Sequence, residues 1–480
     1  MEQAELILYD NLCVFKPLIP QVTDKLVIWE KNIIKNKIKV TPKRVYAESK
    51  QGGEMVGATY QGFWQHIMTA YVKAGYMPVI KDVRLSKELP PPALDKMHGF
   101  RFSQEKLLTD GLMAQRSGLI GAPTRYGKTA LIVNTLRAYP TATACLVAPG
   151  VDLVQQLYDD LTSKFGIPGR RVHLVTGSKK IKGPLAKGDV VVCSVDSLAK
   201  LNPADYDLLL ADEPHALVTA DRIKLIDAFP RARRIGFGAT LKGRFDGRDK
   251  LIEGIFGPVI VERTYKEAVA EGAICPLKII FFDIEIPPRK FFNRNQAYDH
   301  FLFKNRTVAE LTGKICSEVI PEEFQTLIFV KHEKQADVYQ DAIGRETSIA
   351  MAKRMTNKER IEMTDLLRSN TIKRCLCTRI YVQGVTFSDV RVLINAEAGG
   401  NNTSAIQKPG RLAEIRPGKK CGIIIDFFFK LAADEDEDPL TSKALIGDSK
   451  NRQTAYKDKG YDIIHVSSIE QLKSKFNELI

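Results

Sequence analysis

Short β-branched runs alternate with longer helical segments through most of this chain, and that alternation narrows the possible folds more than any other feature. Between residues 98 and 275, "TACLVAP", "DVVVCSV", "YDLLLADE" and "RRIGFGAT" have the length and apolar density of buried parallel strands. "GKTALIVNTLRAY" and "VDLVQQLYDDLTSKF" lie between or before them with helical spacing. A parallel strand needs a crossover to reach its neighbour, so the pattern predicts a doubly wound α/β sheet. From residue 276 the alternation resumes with "QTLIFVK", "TIKRCLCT", "VRVLINAEA" and "KCGIIIDFF", separated by helical segments such as "NKERIEMTDLLRSN". A second α/β lobe of similar size is expected over 276–447, followed by a C-terminal segment, 448–480. The acidic run "AADEDEDPL" before that segment reads as a solvated loop.

Residues 1–97 differ. They hold both tryptophans, Trp29 and Trp64, and the basic stretch "EKNIIKNKIKVTPKRVY". "KELPPPALD" follows, and three consecutive prolines suit an extended linker. A small accessory domain is expected there.

The chain carries 71 Lys+Arg against 57 Asp+Glu, a formal charge of +14. Such a field favours polyanions, nucleic acid first among them. The longest apolar runs fall far short of the roughly 20 residues that span a bilayer, and "MEQAELILYD" lacks a basic region before an apolar stretch, so no secretory signal is expected. Of eight cysteines only Cys375 and Cys377 lie close, without zinc or redox spacing. A reducing, cytoplasmic compartment is expected.

Residues 122–129, "APTRYGKT", follow the strand pattern "SGLIGAP" and open the helix pattern "KTALIVNTL". That is the context a phosphate loop requires. Ala122, Pro123, Thr124, Arg125 and Tyr126 must curl so that successive N–H groups face one point at a helix N-terminus. Gly127 allows close approach, the Lys128 ammonium reaches the outer phosphates, and the Thr129 hydroxyl ligates the Mg²⁺ of a bound triphosphate. The competing interpretation is an ordinary turn before a helix, which the flanking strand and helix disfavour. Downstream, "YDLLLADEPHAL" sets Asp212 and Glu213 at the C-terminal end of a buried strand, where ligands sit in open α/β sheets. Asp212 can hold Mg²⁺ and Glu213 can orient and deprotonate water. A helix-capping Asp beside a surface Glu is the plainer alternative, weakened by the loop upstream.

In this order the motifs resemble the DExH members of helicase superfamily 2 over roughly 98–430. "FRFSQEKLL" (100–108) is similar to the family segment ahead of the phosphate loop, which implies that Gln104 reads the adenine edge. "VAPGVDLVQQ" and "VVVCSVDSL" resemble segments touching the nucleic-acid backbone, and "GAT" (238–240) resembles the Ser-Ala-Thr element. In the second lobe "TLIFVKHEKQAD" resembles the fourth family segment. "CTRIYVQGVTF" (377–387) resembles the fifth, with Gly384 near nucleotide and Thr378 near nucleic acid; Thr386 stands where many relatives have Asp. "QKPGRLAE" (407–414) resembles Gln-x-x-Gly-Arg-x-x-Arg: Gln407 and Arg411 match, but Glu414 replaces the last arginine. The resemblance implies Arg411 on the γ-phosphate, with Arg416 a substitute. It also implies two RecA-like lobes with ATP and Mg²⁺ bound in the cleft between them. "IFGPVIVERTYKEAVAEGAICPLKI" is similar to the hinge entry of phage branch-migration helicases of the UvsW type. The implied activity is ATP-driven unwinding or branch migration of forked or junction DNA in recombination, repair or replication. An RNA helicase, or a nucleic-acid-binding protein with a weak ATPase, is the alternative; a phosphate-loop kinase or switch seldom carries a second lobe of this kind. The motifs leave the oligomeric state open, a monomer included.

Two further stretches mix cations and aromatics. "PPRKFFNRNQAYDHFLFKNR" (287–306) can grip a single strand, or be a helical insert whose Phe residues are core. In the N-terminal domain Lys31, Lys35, Lys37, Lys39, Lys43 and Arg44 could meet a fork or junction, or the domain could be a brace or a docking module.

Overall fold

The structure is a computed structural model that describes residues 2–34, 37–85, 89–177, 179–181, 183–239, 241, 247–289, 291–350, 355–378, 389–400, 408–432 and 442–480. The chain divides into two compact units, Met1–Pro123 with Gly127–Thr264, and Thr124–Tyr126 with Tyr265–Ile480.

The first unit opens with a small mixed domain. Strands β1 (Gln3–Leu8), β2 (Leu12–Lys16), β5 (Tyr46–Gln51), β6 (Glu54–Tyr60) and β7 (Met77–Asp82) form a sheet of order β5-β6-β2-β1-β7, while β3 (Val27–Ile34) and β4 (Lys37–Arg44) make a separate hairpin. Along β1, Ala4, Leu6 and Leu8 are buried and their neighbours are not, so one sheet face carries the core. That core closes over the helix Trp64–Lys73 through Ile67, Ala70 and Tyr71.

This domain is fastened to the sheet that follows it. Gly62 lies so close to the Glu253 carbonyl that a Cβ would sit 2.0 Å from it. His66 Nε2 meets Glu253 Oε2 at 3.0 Å. Buried Glu30 takes Lys43 and Arg248 Nε at 3.1 Å each, so one carboxylate joins the hairpin to the larger sheet. The proline run lies within the segment 89–97, which packs as well: the Ala93 amide donates to the Ala138 carbonyl at 2.8 Å, and Leu89 and Met97 are buried.

The seven parallel strands of this unit are β8 (Gly118–Gly121), β9 (Ala144–Ala148), β10 (Val172–Val175), β11 (Val190–Ser194), β12 (Leu208–Asp212), β13 (Arg233–Gly238) and β14 (Val259–Glu262), in the order β10-β11-β9-β12-β13-β8-β14. Strands β9, β11 and β12 are buried at every position, as a sheet covered on both faces requires. Chain order reverses around β8, so the turns after β8 and β12 open at the C-terminal edge where ligands collect.

The second unit repeats the architecture. Strands β15 (Leu277–Ile286), β16 (Gln325–Phe329), β17 (Ser348–Ala350), β18 (Arg374–Cys377), β19 (Val390–Asn395), β20 (Gly422–Leu431) and β21 (Asp462–Val466) form a parallel sheet of order β17-β18-β16-β19-β20-β15-β21. Both sheets are of the doubly wound, RecA-like kind. The segment 448–480 supplies β21, paired with β15, and the helix Ile469–Leu479, whose Leu472 and Phe476 enter the core. The acidic run lies outside the described residues from residue 433 onward. All eight cysteines are unpaired thiols and seven are buried, which fits their expected role as small core residues. Among the described residues no helix is long and apolar enough to cross a membrane.

Candidate functional site

The turn after β8 begins at Ala122, whose amide donates to the Gly238 carbonyl at 3.0 Å. Ala122 and Tyr126 are buried; Pro123, Thr124 and Arg125 are half-buried. The curl comes from two left-handed residues, Arg125 at φ 72° and Gly127 at φ 96°. A non-glycine residue there costs roughly 1–2 kcal/mol, which the surrounding packing must offset. Gly127 is needed on two counts. Its φ suits glycine, and a Cβ would lie 2.5 Å from Gln104 Nε2. Gln104 is buried, and its side-chain oxygen accepts from the Arg101 amide at 2.9 Å, which fixes its amide nitrogen beside the loop. The helix Lys128–Ala138 starts directly after Gly127, so Lys128 and Thr129 stand in its first turn with N–H groups that no helix carbonyl can satisfy.

Asp212 ends β12, and Glu213 follows in the left-handed region at φ 54°. The Glu213 amide donates to the Phe237 carbonyl at 3.0 Å, anchoring this turn to β13. The turn aims the Glu213 carboxylate back at the loop: Lys128 Nζ lies 3.2 Å from Glu213 Oε1. His215 Nδ1 approaches the other oxygen at 3.2 Å and is buried. The sequence motifs assign His215 no role; its place three residues past the strand end is the available signal.

These surroundings split the two acids. Burial and the adjacent Glu213 charge push Asp212 up to about 7. Burial would raise Glu213 too, but Lys128 and His215 together outweigh it and hold this carboxyl below the usual range. Asp212 Oδ1 is buried without a hydrogen-bond partner. An orphaned carboxylate oxygen of this sort suits a divalent cation. Among the described residues no three His, Cys, Asp or Glu side chains could hold a metal together.

In the second unit Arg411 lies on the one-turn helix Pro409–Leu412 and is half-buried, while Glu414 pairs with Arg416 at 3.0 Å. Thr378 directly follows β18. Thr240, Gly384, Thr386 and Gln407 lie outside the described residues. Three of the five aromatics in the 287–306 stretch are core: Tyr298, Phe301 and Phe303 are buried, and Arg294 pairs with Asp448 while covering the Tyr298 ring at 5.5 Å. Phe292 alone of its aromatics is fully outward, 96% exposed. In the N-terminal hairpin Lys43 is held by Glu30, Arg44 pairs with Glu48 at 3.3 Å, and Lys39 is exposed; the side chains of Lys31, Lys35 and Lys37 lie outside the described residues.

Comparison with known proteins adds independent findings. A family model described as "Type III restriction enzyme, res subunit" matches residues 96–243, and one described as "Helicase conserved C-terminal domain" matches residues 310–416. "Putative helicase 22" of Sulfolobus islandicus filamentous virus is 21% identical over 366 residues, which are 70% of this chain and 64% of that protein. This chain therefore spans less than two thirds of that relative's length. "Putative ATP-dependent RNA helicase QP509L" of African swine fever virus (strain Badajoz 1971 Vero-adapted) is 24% identical over 391 residues, 74% of this chain and 72% of that protein. Among solved structures, the fragment of "a putative HsdR subunit of a type I restriction enzyme from Vibrio vulnificus YJ016" aligns over 88% of this chain and 79% of its own at a TM-score of 0.58 and 16% identity. T4 UvsW aligns over 97% of this chain and 99% of its own at 14% identity and a TM-score of 0.42.

Proposed function

This chain belongs to helicase superfamily 2, whose members are nucleic-acid-dependent ATP hydrolases, and on that premise we propose that it uses ATP to unwind or branch-migrate forked or junction DNA. One observation carries the reading: Lys128 and Glu213 converge to 3.2 Å beside the unpartnered Asp212 Oδ1, at the C-terminal edge of a parallel sheet. A lysine at the first turn of a helix, an acid for a cation and an acid for water are the parts phosphoryl transfer to water needs.

We propose the following roles. Residues Ala122 to Thr129 cradle the triphosphate with backbone N–H groups, and Gln104 meets the adenine edge. Thr129 and Asp212 hold the Mg²⁺ that accompanies it; that ion would neutralise charge on the phosphate oxygens. A phosphate that draws Lys128 away removes the main partner holding the Glu213 carboxyl low. Glu213 then becomes a better base for the attacking water, just as substrate is seated. Arg411 and Gln407 take the phosphate-contacting roles that the family motif implies, with Gly384 near the nucleotide. Arginine suits the task because its planar fork stays charged and meets two oxygens at once. We also propose the division 1–97, 98–275, 276–447 and 448–480 as the functional segments.

DNA is preferred because 255–279 resembles the hinge entry of the branch-migration subgroup, and because the match over 96–243 is to a restriction-enzyme subunit. The African swine fever virus relative, named as an RNA helicase, favours a second reading with RNA as substrate. Labelled fork, four-way junction, plain DNA duplex and RNA duplex, each offered with ATP and Mg²⁺, separate the two. Disassembly of the branched DNAs is expected; disassembly of the RNA duplex alone would favour the second reading, and no ATP-dependent disassembly of any would remove both.

A further inference from the structure

The second unit buries an unusual amount of charge beside the turn that carries Arg411. Asp426 stands within the apolar run of β20, entirely buried, and its Oδ2 accepts from Arg452 Nε at 3.0 Å, Tyr456 at 2.9 Å and Asn395 Nδ2 at 2.9 Å. Asn395, the last residue of β19, turns its Oδ1 to Lys408 Nζ at 2.8 Å. The same ammonium meets Glu397 Oε2 at 2.8 Å, and Lys331 binds the other Glu397 oxygen at 3.3 Å. Arg452 also donates to the carbonyls of Ala398 and Phe427, at 2.5 and 2.7 Å. Asn395, Glu397, Lys408, Asp426 and Arg452 are each no more than 3% exposed.

The buried charges balance, with Lys408 and Arg452 against Glu397 and Asp426. The chain of contacts runs from the helix Ser442–Lys459 through β20 and β19 to Lys408, and Lys408 is the residue from which the Arg411 turn hangs. The Arg411 amide donates to the Lys408 carbonyl at 3.1 Å. An ammonium held in three dimensions by Glu397 and Asn395 over the Phe329 ring cannot rotate or slide without exposing an unpaired charge. Stability alone does not call for such a pair, because apolar residues of similar volume usually serve as well or better. Position is what the pair supplies.

We propose that Lys408 and Glu397 are positioning residues for ATP hydrolysis, locking the turn Pro409–Leu412 so that Arg411 is presented in one fixed orientation. The proposal rests on the role given above to Arg411. Misplacing a reacting group by an ångström costs on the order of a hundredfold in rate, and the effect belongs in kcat, since ATP is still held by the loop of the first unit.

The test uses the full chain and compares Lys408→Met, Glu397→Gln, the apolar double variant Lys408→Met/Glu397→Met, and Arg411→Ala. Nucleic-acid-stimulated ATPase and thermal unfolding are measured on each. Both single variants should lose at least about tenfold in kcat, with KM for ATP within about threefold of wild type. The double variant, which leaves no buried charge unpaired because Lys331 is exposed, should regain the unfolding temperature without regaining kcat. Full recovery of kcat together with stability in the double variant would overturn the proposal and leave a purely structural role. So would wild-type kcat in both single variants while Arg411→Ala is impaired. Wild-type turnover in Arg411→Ala would overturn the role of Arg411 itself, and the positioning role with it.

Discussion

Lys128 Nζ rests 3.2 Å from Glu213 Oε1, which pairs the proposed phosphate-binding cation of the helix Lys128–Ala138 with the proposed base at the end of β12. In the proposed roles, nucleotide would compete with Glu213 for that ammonium. Binding and activation would then be linked through one ion pair, since Lys128 is the main partner holding the Glu213 carboxyl low.

Separating the two partners tests this link. Lys128→Ala should weaken ATP binding and lower hydrolysis by about a hundredfold or more. Glu213→Gln should lower kcat by about 10²–10⁴-fold, the span of general-base catalysis, while retaining ATP affinity. A fluorescent nucleotide titration beside steady-state ATPase measurement distinguishes them. Equal hydrolysis by Lys128→Ala and wild type would point to a nucleic-acid-binding protein whose ATPase has decayed.

Asp212 makes a pH-dependent prediction. Its carboxyl is raised from 3.8 to about 7, so it carries a proton across the acidic range and must lose it to hold a cation. At limiting Mg²⁺, hydrolysis should rise with pH through about 7, and saturating Mg²⁺ should move that midpoint down. Stability runs the other way. A raised folded value stabilises fully below the unfolded value and is lost as pH rises through the folded one. Asp212→Asn, neutral throughout, should therefore gain in unfolding temperature over wild type between pH 5 and pH 8, as thermal melts without nucleotide would record. A constant difference across that range would contradict the assigned shift.

Gly127→Ala should lose nucleotide binding more severely than a surface Gly→Ala change. The new Cβ is disfavoured at φ 96° and meets Gln104 Nε2 at 2.5 Å, so either the loop or the Gln104 amide must move. Nucleotide affinity measured in Gly127→Ala and in Gly150→Ala, whose Cβ meets nothing within 4 Å, gives the contrast.

The aromatics of 287–306 should separate by burial. Phe301→Ala should destabilise the protein by about 3–5 kcal/mol, as deletions of core aromatics do. Phe292→Ala, at a side chain 96% exposed, should stay within about 0.5 kcal/mol of wild type. Denaturant unfolding checks both. Weaker single-strand binding by Phe292→Ala at unchanged stability would restore part of the nucleic-acid role that burial removes from Tyr298, Phe301 and Phe303.

Much of this protein could be read from short windows of its sequence. Strands β9, β11 and β12 are apolar runs with no polar break before their ends, and a run buried on both faces admits few other interpretations. Gly127 ahead of Lys128 marks a helix start because the residues that set it are adjacent. Asp212 and Glu213 stand out because acids directly after an apolar strand need a reason. The N-terminal sheet was less legible. Its strands are short, only one face is covered, and β5 and β7 are mostly exposed, so their patterns carry little apolar signal.

Local order along the chain determined which residues would gather at the C-terminal edge of the first sheet, since a strand, a glycine turn and a helix follow one another wherever such a sheet forms. Only the tertiary structure decided their electrical state. Glu213 is held low chiefly by Lys128, which the fold brings in from another element, and Asp212 is raised chiefly by its burial, and Coulombic and desolvation effects depend on distance in space rather than in sequence. The same holds for Asp426. Alone it looks like an error in an apolar strand, and its reason appears once Arg452, Tyr456 and Asn395 close around it.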